Sequence, residues 1–306
     1  MGKRPGEELT KSSYDTVVPR PFIRVSNEAS GTTNITNSEI AYLGYSCSRC
    51  SGISYYGGIG SIVKGNNIHH LLKGFYSKGM GSMIVENNTI HDNYLYGIDP
   101  HTGTHDMIIR NNKVYGNNAS AIICSKHCYN ILFEGNEVYK NGGDNRGIAL
   151  SINTTHSIAR NNYVHDQLSC IGSNSASNFN TIEDNVFSNC KVAVNLADTS
   201  KNIINNNKII GGQVAIVLRD TTNKILHNKI ENTTNGIVLL SSSNAKEVNS
   251  DNDKETKQVN SAAFLNRMNV VNEMTGVKNP VVVNDTHSAG ENDTQNSKFH
   301  ATTGQN

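Results

Sequence analysis

Within Tyr96-Gly97-Ile98-Asp99-Pro100-His101 a phenol, a carboxylate and an imidazole fall inside six residues. Histidine and tyrosine placed a few ångströms apart supply a proton acceptor and a proton donor near neutral pH. Side chains alternate across a strand, so Ile98 and Pro100 turned inward place Asp99 and His101 on the outer face. Abstracting a proton α to a carboxylate is difficult because the enolate that forms carries two negative charges. Neutralising cations lower that cost most, and Lys73, Lys78, Lys126 and Arg146 are available if neighbouring stretches of chain stack beside the segment. Asp99 would orient His101 or accept a hydrogen bond from a substrate hydroxyl. A lone histidine on such a face is ordinarily just a solvated side chain. Several complementary groups on adjacent turns favour the chemical reading.

The stacking itself follows from a repeat. Asn-x-(Ile/Val/Phe) recurs at Asn66, Asn88, Asn112, Asn136, Asn162, Asn185, Asn207 and Asn228, at intervals of 21 to 26 residues. After each comes a small residue followed by an apolar one, as in Gly74-Phe75, Gly97-Ile98, Ala121-Ile122, Gly147-Ile148, Cys170-Ile171, Ala193-Val194, Ala215-Ile216 and Gly236-Ile237. Each unit holds two or three short β runs between Asn, Gly and Ser corners, with no helical period. Asparagine at these corners is expected to supply left-handed backbone for tight turns. The leucine ladder of leucine-rich repeats is missing. A fixed period of this length without helices reads as an all-β, right-handed, single-stranded parallel β-helix. Its equivalent residues would stack about 4.8 Å apart.

Aligned in this way, the His101 position runs Lys78, His101, Ser125, Ser151, Asn174, Ala197, Arg219. The Asp99 position runs Tyr76, Asp99, Ile123, Ala149, Gly172, Asn195, Val217, and strand entries include Lys73, Tyr96, Ser120, Arg146 and Ser169. Polar and ionisable groups crowd the middle turns, and the last turns become apolar. The expected groove therefore has His101, Tyr96, Asp99 and Lys126 at its centre, with Lys73, Tyr76, Lys78, Ser125, Arg146 and Ser151 contacting the substrate.

Only 36% of residues are hydrophobic, which suits a thin core repeated along an axis, and a net charge of +1 exerts no general pull on nucleic acid or membrane. No apolar run approaches the roughly 20 residues that span a bilayer. The first twenty residues are charged and polar, with no signal peptide. The expected organisation is a flexible leader over 1–20, the β-helix over 21–240, and a polar tail over 241–306 that caps the open end or is disordered. Apolar patches at Ala262 to Val271 and Val281 to Val283 favour some capping. Cys47-x-x-Cys50 reads as two free thiols or a local disulfide, while Cys124 and Cys170 read as core or turn residues. No metal site is expected.

The segment Tyr96 to His101 resembles the signature of the mannuronan C5-epimerases, β-helical enzymes that convert β-D-mannuronate to α-L-guluronate within alginate. Arg20-Pro21-Phe22-Ile23, Ala41-Tyr42-Leu43-Gly44-Tyr45, Gly74-Phe75-Tyr76 and Ile108-Ile109-Arg110-Asn111-Asn112 resemble stretches of the periplasmic form, so the resemblance covers about Arg20 to Arg219. It implies His101 as catalytic acid/base, Tyr96 as a second proton-transfer group and Asp99 as the aspartate of the motif. Lys126 stands where the periplasmic form has an arginine for the uronate carboxylate; it keeps the charge and loses the bidentate fork. Ser125 stands where secreted members have an acid. The activity implied is C5 epimerisation of a polyuronate or other anionic polysaccharide by an extracytoplasmic monomer, with no required cofactor and calcium as an option. A polysaccharide lyase shares the first half of the reaction, and a non-catalytic carbohydrate-binding β-helix is the third reading.

Overall fold

The computed structural model describes residues 16–26, 31–142, 146–219, 222–240 and 272–284. Most of the expected leader and the patch from Ala262 to Val271 lie outside these residues. The described strands pair in parallel with the strands of neighbouring turns, building three sheets of 11, 9 and 10 strands. The fold is a right-handed parallel β-helix, as the repeat predicts. The described residues contain no helix.

Each complete turn contributes one strand to each sheet, and alternation decides what each strand buries. In the first sheet Phe75, Ile98, Ile122, Ile148, Ile171, Val194, Ile216 and Ile237 stack in register and are fully buried. The second sheet contributes the middle residues of three-residue strands, such as Val85, Ile109 and Phe133, and the third contributes Ile90, Val114 and Val138. Burying each such side chain contributes about 1.5–3 kcal/mol, so the thin core gains stability by repetition. The small residue before each first-sheet apolar residue has a steric cause at Gly97. A Cβ there would lie 2.6 Å from the carbonyl oxygen of Ala121, one turn on.

The repeated asparagines play a different part from the one expected. They do not adopt left-handed backbone; the residue before each often does, as at Asn87, Asn111, Gly135 and Asn161 (φ 55°, 54°, 64° and 55°). The asparagines themselves are buried in a continuous ladder. Asn88 Nδ2 donates to Asn112 Oδ1 at 3.0 Å and to the Val63 carbonyl at 3.0 Å, while Asn112 Oδ1 also accepts from the Asn88 backbone N–H. The pattern repeats from Asn66 to Asn272. Corner backbone groups that the sheets cannot pair thus find buried partners, where an unmade hydrogen bond costs about 1–3 kcal/mol. Asn93, Asn117 and Asn141 form a second, shorter ladder.

The turns also continue past Leu240. The strand Asn279–Asn284 pairs with Asn235–Leu240, and Glu273–Thr275 pairs with Lys229–Glu231, so the patch at Val281 to Val283 is a further strand of the first sheet. Two disulfides join Cys47 to Cys50 and Cys170 to Cys190. The first is one of the two states expected; the second is unforeseen, because its cysteines lie 20 residues apart and meet only through the coil. Cys124 and Cys128 are buried free thiols.

Candidate functional site

The strand Ile98–His101 lies beside Lys73–Lys78 with Asp99 opposite Tyr76 and His101 opposite Lys78. Asp99 faces away from the apolar interior, yet none of it is exposed. Two neighbours hold its oxygens. Lys73 Nζ lies 2.8 Å from Asp99 Oδ2, and Ser125 Oγ donates to Asp99 Oδ1 at 2.8 Å. The same Lys73 ammonium sits over the rings of Tyr76 and Tyr96, 4.6 and 5.4 Å from their centroids. Lys73, Tyr76, Tyr96, Asp99 and Ser125 therefore form one packed cluster drawn from three successive turns.

Two expected roles change as a result. Asp99 neither meets a substrate hydroxyl nor hydrogen-bonds His101, because both its oxygens are engaged by protein and it is sealed from solvent. Lys73 is the half-buried partner of that carboxylate, its ammonium already engaged by Asp99. A carboxylate taken from water is tolerated only when paired and hydrogen-bonded, and this one has a cation on one oxygen and a hydroxyl on the other.

His101 is half-buried against the ring of Tyr76, with centroids 5.6 Å apart. Its Nδ1 is hydrogen-bonded to Thr102 Oγ1, and Nε2 has no protein partner among the described residues. Burial lowers its pKa below the ordinary histidine value. Asp99 opposes that shift, while Lys73, Lys78 and Lys126 reinforce it. Burial raises the pKa of Tyr96, and the Asp99 charge adds to the effect; burial raises that of Tyr76 as well. Near neutral pH the site thus holds a neutral imidazole able to accept a proton and protonated phenols able to donate one.

Cations frame this centre. Lys78 and Lys126 are exposed, and Lys126 follows Ser125 in the turn beyond His101. Arg146 is half-buried on the next turn, and burial lowers its pKa. Its aliphatic stem crosses Gly172, where a Cβ would run into Cδ and Nε. Among the described residues no acid pairs with Arg146, Lys78 or Lys126. Ser151 is buried and donates to Asn174 Oδ1 at 2.8 Å, so it reaches the groove as part of a pair.

Sequence reasoning missed Thr102, whose place immediately after His101 is its only signal. It also missed an extension toward the N-terminal turns. Tyr56 packs on Tyr76 at 5.6 Å, and the Arg49 guanidinium lies 5.3 Å above the Tyr56 ring. Tyr56 could have been found from the register that aligns it with Lys78. Among the described residues no three His, Cys, Asp or Glu side chains converge to hold a metal ion, and no helix is long and apolar enough to cross a membrane.

Residues 22–170 match the family described as right handed beta helix region, and residues 169–259 match that of the periplasmic copper-binding protein NosD. No curated protein matches the chain. Among solved structures, the periplasmic alginate epimerase AlgG aligns with 89% of this chain and 64% of its own, at 18% identity and a TM-score of 0.56. The A-module of mannuronan C-5 epimerase AlgE6 from Azotobacter vinelandii aligns with 83% of this chain and 65% of its own, at 16% identity and a TM-score of 0.53. DFA-IIIase from Arthrobacter chlorophenolicus A6 aligns with 89% and 71%, at 13% identity and a TM-score of 0.52. The chain spans less than two thirds of either epimerase chain. At these identities the likeness is one of fold.

Proposed function

We propose that the outer face of the first sheet acts on a polysaccharide, and that its reaction is C5 epimerisation of a polyuronate. The observation that carries this reading is His101, an imidazole kept neutral by burial and by cations, within a face whose outer cations Lys78, Lys126 and Arg146 have no acid partner among the described residues. A neutral base beside unpaired positive charge suits removal of a proton α to a carboxylate. The similarity of the fold to the two epimerases supports the same assignment.

In this reading the substrate carboxylate docks between Lys126 and Arg146, which offset the charge of the enolate as it forms. His101 Nε2 takes the C5 proton while Thr102 holds the ring through Nδ1. Tyr96, kept protonated by burial, returns a proton to the opposite face of C5. Lys73, paired with Asp99 and lying over both tyrosine rings, stabilises the phenolate that Tyr96 then becomes, and solvent or His101 restores its proton. Asp99 holds Lys73 in place and is a positioning residue. Each of these steps uses groups of the chain itself, so we propose that no cofactor is needed; calcium would act at most on the polymer. Two disulfides suit an oxidising, extracytoplasmic compartment.

Incubation with polymannuronate in deuterated water, followed by proton NMR, tests the reading. Epimerisation gives guluronate signals with deuterium at C5. Olefinic protons of unsaturated uronates would instead identify a lyase, in which the donor protonates the C4 oxygen as it leaves. Binding without either signal would leave a non-catalytic carbohydrate module and sink the proposal.

A further inference from the structure

The outer face of the second sheet carries two ladders that the groove does not use. At the first residue of successive strands lie Ile62, Ile84, Ile108, Leu132, Ile158 and Thr181, stacked in register. These are outward positions, since the buried residue of each strand is the next one. Five aliphatic side chains in succession thus line the outer face, Ile158 36% exposed and the other four half-buried. The third sheet offers a contrast. Its outward positions over the same turns are Asn67, Thr89, Lys113, Glu137, Tyr163 and Val186, of which only the last is aliphatic.

Two residues along each second-sheet strand runs the other ladder: Lys64, Glu86, Arg110, Glu134, Arg160, Glu183. Its signs alternate without a break over six turns. Reversed, plus-minus-plus-minus-plus-minus becomes its own complement. A two-fold axis lying parallel to the strands, between Ile108–Arg110 and Leu132–Glu134, keeps each ladder opposite its own kind and reverses the order of turns. Lys64 then faces Glu183 of a second copy and Arg110 faces Glu134, while Glu86, buried between Lys64 and Arg110, lies in register with Arg160. In the same superposition Ile62 meets Thr181, Ile84 meets Ile158, and Ile108 meets Leu132.

We propose that this face joins two copies of the chain, with their solenoid axes antiparallel, through the aliphatic stripe and the flanking charge ladder. Such isologous contacts are the commonest way for like chains to pair. In place of the single-chain state expected from the sequence, the protein is then a dimer whose two grooves remain open, because the groove lies on a different sheet. The intrachain pairs Lys64–Glu86, Arg110–Glu86 and Arg160–Glu134 (2.8, 2.7 and 2.7 Å) hold the long side chains upright along the stripe. Six turns at about 4.8 Å make a contact only some 24 Å long. That is at the small end of specific interfaces, so the dimer is in exchange with monomer and weakens as salt rises.

Sedimentation velocity of the full chain over a range of concentrations tests this. The wild type should pass reversibly from monomer to dimer, and Leu132→Asp, which touches no ion pair, should weaken association at least tenfold. Arg110→Glu and Glu134→Arg should each be monomeric alone, since each sets like charges across the axis twice. An equimolar mixture of the two should dimerise, because every facing pair is then opposite in sign. Circular dichroism establishes that the variants fold; if a reversal variant does not, Leu132→Asp still decides. A wild type that stays monomeric at the highest attainable concentration, a dimer indifferent to Leu132→Asp, or folded reversal variants that fail to pair when mixed would each overturn the proposal.

Discussion

The first and second sheets are built on the same turns by the same alternation, yet their outer faces treat charge in opposite ways. Along the charge ladder of the second sheet, from Lys64 to Glu183, each group stands beside one of opposite sign, and Glu86 is held by both Lys64 and Arg110. On the first sheet one acid, Asp99, serves a group of cations and is consumed by Lys73, leaving Lys78, Lys126 and Arg146 facing the groove without an acid among the described residues. Periodic, compensated charge leaves little net field for an anionic ligand. Charge that breaks the period and is not compensated is where a ligand can supply the missing partner.

The sharpest way to break this contrast is at His101. His101→Ala should lower the rate of C5 proton exchange by about 10²- to 10⁴-fold, with the circular dichroism of the β-helix unchanged; exchange at the wild-type rate would remove His101 from the chemistry. Next in size is Lys73→Met, which leaves the Asp99 carboxylate buried without its cation. It should cost about 3–5 kcal/mol in urea denaturation. Arg146→Ala should raise KM for the polymer by roughly tenfold or more, the scale of a lost hydrogen bond to a charged group. Gly172→Ala should move KM the same way by displacing the arginine stem.

The pH profile sharpens the comparison further. His101 must be unprotonated to accept a proton, so activity should rise with pH through an acid limb below the ordinary histidine value of 6.5. Lys126→Ala removes a charge that disfavours protonation and should move that limb upward; a fixed limb would detach Lys126 from the site. The lowered pKa also means that the unfolded chain binds this proton more tightly than the folded one. His101 therefore withdraws stability as pH falls below about 6.5, an effect that His101→Ala should remove from the pH dependence of unfolding. The smallest change belongs to the second sheet. Glu134→Gln breaks a partly exposed pair with Arg160 and should cost about 1 kcal/mol or less, with epimerisation unaffected in assays at low protein concentration.

Much of this architecture was legible from residue order. The small-apolar pairs placed Ile98, Ile122, Ile148 and their equivalents in one ladder, and the observed register agrees residue for residue. The same alignment set His101 beside Lys78 and Asp99 beside Tyr76. The asparagines were visible as a repeat, but their work was not: buried ladders and left-handed corners both favour Asn, and the residue before each ladder position is often Asn too. The end of the solenoid was hidden because the chain between Leu240 and Asn272 breaks the period.

What the sequence alone determined is the coil, its register and the outward direction of Tyr76, Asp99 and His101, because a period near two dozen residues and the alternation of a strand are local properties. Tertiary structure decided which groups are spent on one another. Lys73 and Ser125 each lie 26 residues from Asp99 and reach it from opposite sides. Whether a carboxylate on an outer face meets a substrate or is sealed beneath a lysine depends on the rotamers and burial that those turns impose together. The same holds for Arg146, whose course over Gly172 exists only once the next turn lies beneath it.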